Sequence, residues 1–164
     1  MTPLLVSTVF MLAVLALCLA RPVAGRGFLG VFFLLMGLGV NLGFVLFAPE
    51  MFVELGAADP VVPLYAWFFT NLVAAAPALW GLAVVAFEAA VGVLLLQGGA
   101  RARWGVAGAI LFLVGITPLG PWTQANPILI VALTTLWFRR IDAAPVAALG
   151  RLARGGAGRR PDAA

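Results

Sequence analysis

The 164-residue chain has no histidine and no lysine, a single cysteine, a single tyrosine and few charges: six acidic side chains against ten basic ones, all arginine. Each shortage excludes something. Without histidine there is no protein imidazole to hold a haem or a transition metal, and with Cys18 alone there is neither a CxxC redox pair nor an internal disulfide. No cofactor and no metal are expected, and redox chemistry based on such ligands would need a partner subunit. Walker sequences, dinucleotide fingerprints, nucleophile elbows and HExxH motifs are also missing, so no residues point to hydrolysis or to a bound nucleotide. Cys18 follows Leu17, where a lipoprotein signal would place a small residue. It reads as a packed side chain.

What the chain has in abundance is apolar surface. It is 64% hydrophobic and 10% charged, with a mean hydropathy of +1.14, whereas soluble domains are about 45–50% apolar and about 25% charged. An all-α integral membrane bundle is the expected class. A net charge of +4 and a pI near 11.1 would suit nucleic acid in a soluble chain. In this one the arginines report topology, and no nucleic-acid partner is expected.

Five apolar runs are candidate spans, each near the roughly 20 residues that a crossing helix needs: Pro3 to Ala20, Gly27 to Ala48, Pro77 to Gln97, Ala102 to Leu119 and Trp122 to Phe138. The expected architecture is a four-helix core plus an N-terminal helix, over residues 1–140. The first run resembles a signal peptide, with "CLA" before Arg21. Its arginines follow the apolar core instead of preceding it, which favours a retained helix. Arg21 and Arg26, Arg101 and Arg103, and the six arginines from Arg139 onward all fall on one side of this five-span layout, while Glu50, Glu54 and Asp59 fall on the other. By the positive-inside rule the N-terminus and the acidic loop face outward, and the C-terminus is cytoplasmic in a bacterial inner membrane. Trp80 and Trp122 then lie at outer ends, and Trp104 and Trp137 at inner ends.

Two segments fall outside the spans. Pro63 to Ala76, "PLYAWFFTNLVAAA", is too short to cross and is expected to be interfacial or re-entrant, or else to continue into the third span as a helix bent at Pro77. Residues 141–164 form a basic tail, partly disordered by composition. Its arginines are expected to hold it against anionic inner-leaflet lipid at about 1 kcal/mol each.

Glu88 raises the sharpest question. Inside "LAVVAFEAAVGVLLL" it lies about nine residues from the inner end of its span, or about 14 Å at 1.5 Å per residue, close to mid-bilayer. An ionised carboxylate facing lipid there is costly, so Glu88 should face protein or water. Gly81 and Gly92 lie on its helical face, where small residues let another backbone approach. Asn41 in the second span is the expected partner, with Gly37 on its face and Gly39 and Gly43 forming a GxxxG pair beside it. Two roles stay open for Glu88: a proton- or substrate-handling acid in a cavity, or a neutral group whose hydrogen bond fixes helix register. Glu50, Glu54 and Asp59 have the spacing of an exposed acidic helix and loop, which is more often solvated than metal-binding. Thr117, Thr123, Gln124 and Asn126, among Pro118, Pro121 and Pro127, read as a polar turn between antiparallel helices.

The run from Gly27 to Arg140 resembles the DoxX-like group of small four-helix membrane proteins. The residues that carry this are "GFLGVFFLLMGLGVNLGF", a Pro-containing segment, and then "FEAAVGVLLLQGGARARWGVAGAILFLVGI", with Glu88, Gly92, Gly98 and Gly99 before Arg101 matching the pattern. The resemblance implies an accessory or catalytic subunit of a membrane redox system linked to quinone. The expectation is therefore a small inner-membrane accessory subunit, with other membrane subunits as partners. The alternatives are a small proton-coupled transporter and a lipid- or quinone-modifying enzyme, each using Glu88.

Overall fold

The computed structural model describes residues 3–139 together with Ala144, Pro145 and Ala147. Among them every regular element is helical: α1 Pro3–Ala20, α2 Pro22–Leu34, α3 Leu42–Phe47, α4 Met51–Ala57, α5 Pro63–Phe68, α6 Pro77–Leu96, α7 Gly99–Ile116 and α8 Asn126–Trp137. Two π-helical segments, Leu35–Asn41 and Phe69–Val73, continue α2 and α5, and 3-10 turns occupy Thr117–Leu119 and Pro121–Thr123.

Proline sets where several of these helices start. Pro22, Pro63 and Pro77 occupy first-turn positions, where the missing N–H costs no helical hydrogen bond and the fixed φ suits the helix. Between α1 and α2 only Arg21 leaves helical geometry, at φ −139°. The two helices therefore turn sharply on each other, with Gly25 so close to Cys18 that a Cβ there would stand 2.7 Å from the sulfur. At the other tight connection, Gly98 is extended and Gly99 has φ +64°, a conformation that side chains other than glycine's resist.

Five helices close into a ring. α1 packs on α2, α2 on α6, α6 on α7, α7 on α8, and α8 back on α1. The shared core draws on all five: Val14 and Cys18, Leu29 and Phe33, Val91 and Leu95, Val106 and Ala109, and Leu129 with Leu133. α1 is thus a full member of the ring and not an addition to a four-helix core. Lipid tails are as apolar as leucine, so close backbone packing rather than hydrophobic burial must hold such helices together. Glycine supplies it. Cβ atoms on Gly30 and Gly92 would each stand 2.8–3.0 Å from the other residue's carbonyl oxygen, and one on Gly105 would stand 2.7 Å from the Leu95 nitrogen.

Several boundaries differ from expectation. Three helical stretches are long and apolar enough to cross a membrane, Pro22–Phe47, Pro77–Leu96 and Gly99–Leu119, while Leu4–Ala20 and Asn126–Trp137 are apolar but shorter. The fifth expected span loses its first residues to the 3-10 turn that begins at Pro121, which leaves α8 with 12 residues. α2 starts at Pro22, not Gly27, so Arg26 is inside a helix and only 2% exposed. The segment from Pro63 does not run on into α6: helix ends at Val73, and Ala76 at φ −157° breaks the path before Pro77. Most of the basic tail lies outside the described residues; of its described part, Pro145 is buried, with its ring against Gly27.

Gly39 and Gly43 have nothing within 4 Å of where a Cβ would be, so they do not pack α2 against any described part of the chain. Gly92→Ala should therefore lower stability in detergent by about 1–3 kcal/mol through overpacking. Gly39→Ala should leave it unchanged or raise it by about 0.5–1 kcal/mol. Thermal unfolding of the two variants side by side checks the contrast.

Candidate functional site

Glu88 lies near the middle of α6 and is 3% exposed. Its Oε2 accepts a hydrogen bond of 2.5 Å from Nδ2 of Asn41, 47 residues earlier in the chain. Both helices are shaped for this contact. Gly37 gives up its side chain at the crossing, where a Cβ would stand 3.0 Å from Glu88 Cβ and 3.3 Å from the Val85 carbonyl oxygen. The backbone of the π segment is thereby laid directly along the Glu88 side chain.

The π segment also sets where Asn41 sits. The amide of Leu42 bonds to the carbonyl of Gly37, five residues back instead of four, which widens the turn and shifts the register of all that follows. Asn41 is the last residue of that segment. Above and below the pair, the same helix–helix seam is closed by glycine: Gly92 against Leu34 and Gly30 on one side, Gly81 against Val45 and Phe52 on the other. Two cavities lie elsewhere, one of about 500 Å³ beside α5 and one of about 470 Å³ between α7 and α8. Glu88 lines neither.

The acidic residues do not gather. Glu50 precedes α4 and Glu54 lies within it, joined by the 3.1 Å backbone bond of one helical turn. Both are exposed, as is Asp59. No group of three potential metal ligands occurs among the described residues.

The polar turn is a self-satisfied knot. Thr123, 2% exposed, donates its hydroxyl to the carbonyls of Thr117 and Gly120 at 2.7 and 2.8 Å, and Gln124 donates its side-chain amide to the same two carbonyls at 3.2 Å. Thr117 returns its own hydroxyl to Leu113 at 2.6 Å. The Thr117 carbonyl, just past the end of α7, is thereby satisfied by side chains, while the Leu113 and Gly120 carbonyls take a side-chain donor in addition to the backbone amides of Thr117 and Thr123. Asn126, 4% exposed at the start of α8, has a side-chain nitrogen with no hydrogen-bond partner among the described residues.

Two features escaped the sequence reading. Arg26 lies inside α2 and not in a loop: its charge ends the apolar run, but Pro22 four residues earlier is the stronger start signal. Tyr65 ties α5 to α7 by donating its hydroxyl to the Gly115 carbonyl at 2.7 Å. A lone tyrosine in an aromatic segment gives no sign of its partner.

No family model, curated protein or solved structure matches this chain. The DoxX-like resemblance therefore rests on the quoted residues alone.

The geometry distinguishes two substitutions of the same acid. Glu88→Gln keeps shape and an acceptor for Asn41 and should stay within about 1 kcal/mol of the parent, because a neutral hydrogen bond replaces the original. Glu88→Ala leaves the half-buried Asn41 amide without its acceptor and should cost about 1–3 kcal/mol. Chemical or thermal unfolding in detergent reads the difference, and equal losses for both would contradict the hydrogen-bond account.

Proposed function

We propose that this chain is a small helical subunit or accessory protein of a bacterial inner-membrane assembly, in which Asn41 and Glu88 lock α2 to α6. The observation that carries the reading is the closure around Glu88: a carboxyl 3% exposed, bonded to Asn41, and covered by the backbone at Gly37. A titrating carrier or an acid–base enzyme needs a water path to such a group. Its near surroundings are side chain and backbone, which suits a register lock.

The subunit part of the proposal, and its association with quinone or redox chemistry, draw on the DoxX-like resemblance of Gly27 to Arg140. They also draw on composition: with no histidine and one cysteine, the chain brings few groups of its own to redox work and fits a supporting role beside a partner that has them.

The proposed topology is five crossings with the N-terminus outside and the C-terminus in the cytoplasm. The three long apolar helices form its centre. α1 and α8 complete it, with α8, about 18 Å long at 1.5 Å per residue, crossing where the bilayer thins around it. The one-sided distribution of arginine supports the orientation.

Two experiments test this. In a Cys18→Ala background, Glu50→Cys should react with an impermeant maleimide in intact cells and Arg101→Cys only after permeabilisation; the reverse pattern overturns the orientation. For the lock, Glu88→Gln should co-purify from native membranes in mild detergent with the same proteins as the parent chain. A variant that keeps those partners but loses proton-coupled flux or turnover in cells would replace the lock with a proton-handling role.

A further inference from the structure

The capped end of the bundle holds a cavity that the lock does not use. It lies between α5, which contributes Leu64, Tyr65, Trp67 and Phe68, and the end of α7 with the 3-10 turn after it, which contribute Gly115 and Leu119, and its volume is about 500 Å³. Small-molecule sites occupy about 300–1,000 Å³ and are mostly apolar with a few polar groups that fix orientation. Here the polar complement is minimal. No charged side chain lines the space, and the Tyr65 hydroxyl is committed to the Gly115 carbonyl. The Trp67 indole belongs to a side chain 55% exposed, at the rim.

Its walls are held apart by design of the chain and not by chance packing. The Val61 amide bonds to the Pro118 carbonyl at 2.9 Å, and Tyr65 bonds to Gly115 at 2.7 Å, so the chain leading into α5 is tied to the 3-10 turn after α7 and α5 itself is tied to α7. Tyr65 and Phe69 stack at 6.5 Å, and Phe68 meets Trp80 edge-on at 5.5 Å, which fixes the aromatic wall. On the facing wall Gly115 has no side chain, and a Cβ built there would meet nothing within 4 Å. The space persists because that position is glycine.

We infer that this cavity holds one acyl chain of a membrane phospholipid as a resident ligand. It lies at the end of Gly99–Leu119, a helix long and apolar enough to cross the bilayer; in the proposed topology, on which this inference rests, that end is a membrane boundary, where hydrocarbon is the most abundant apolar species. A lining without charge, and with its one tyrosine hydroxyl already bonded, selects hydrocarbon over a headgroup, because a polar occupant would lose its water without gaining partners. An exposed tryptophan at the rim suits the level where chain gives way to headgroup.

The test uses the full chain reconstituted into nanodiscs of phosphatidylethanolamine and phosphatidylglycerol, doped with a phospholipid carrying a diazirine at the end of its acyl chain. After irradiation, adducts are mapped by peptide mass spectrometry. They should concentrate on residues 64–69 and 115–119. Gly115→Leu fills the space from one wall and should lower that yield by about tenfold, the ratio expected if the resident chain loses 1.4 kcal/mol. Gly39→Leu, also open around its Cβ but remote from the cavity, should leave the yield unchanged. Leu119→Trp fills the same space from another position and serves if Gly115→Leu does not fold. Adducts spread evenly over exposed residues such as Leu111 and Val131, or an undiminished yield in a folded cavity-filling variant, would overturn the inference. So would labelling of the cavity by a headgroup-placed diazirine in preference to the chain-end probe.

Discussion

A carboxyl group near the middle of an apolar helix has to be given a partner by the rest of the protein, and here that partner is one amide. Lipid offers neither a hydrogen bond nor a high dielectric, so the Glu88 face of α6 has to meet another helix. The helix it meets is the α2 stretch, and the contact is specific in register because the Asn41 amide bonds to the Glu88 carboxyl. Glycines make that contact close. Gly30, Gly37, Gly81 and Gly92 each leave a gap that a neighbouring backbone or side chain fills. A shift of either helix by one turn would put those gaps out of line and separate amide from carboxyl.

Other parts of the fold follow from holding this seam. The π segment Leu35–Asn41 adds the extra residue per turn that carries Asn41 to its position, and glycine at 37 tolerates the close approach there. α7 then packs on the other flank of α6 through Gly105 and Gly108, and α8 and α1 close the ring. α4 packs against α5 and the Phe69–Val73 segment: Gly56 accepts the ring of Phe69 directly on its α-carbon, and the Tyr65–Gly115 bond fastens the assembly to α7. The lock and the apolar cavity are thus separate features, one formed by α2 and α6, the other by α5 and α7.

Much of the seam was legible in the sequence, for physical reasons. A lone acid in a long apolar run is conspicuous, and 1.5 Å per residue converts position into depth, which put Asn41 within reach of Glu88. Helical periodicity put Gly81, Gly92 and Gly37 on the facing surfaces. What periodicity could not give was handedness of exposure: Gly39 and Gly43 look like a packing motif by spacing, yet both face open space. Boundaries that depend on proline and on non-α turns were also misplaced, as at Pro22 and Pro121, because hydropathy marks the apolar run and not the residue at which the backbone turns. The Tyr65–Gly115 tie joins segments 50 residues apart, which no local pattern encodes.

The central claim is that Asn41 and Glu88 stabilise the bundle through each other and not through independent packing. A double-mutant cycle of Asn41→Ala and Glu88→Ala, read by reversible unfolding in mixed detergent micelles, measures that directly. Interhelical hydrogen bonds in membrane proteins give couplings averaging about 0.6 kcal/mol and reaching about 1.7 kcal/mol. A coupling within that range is the result expected for a buried carboxyl bonded to a half-buried amide. Strictly additive losses would contradict it.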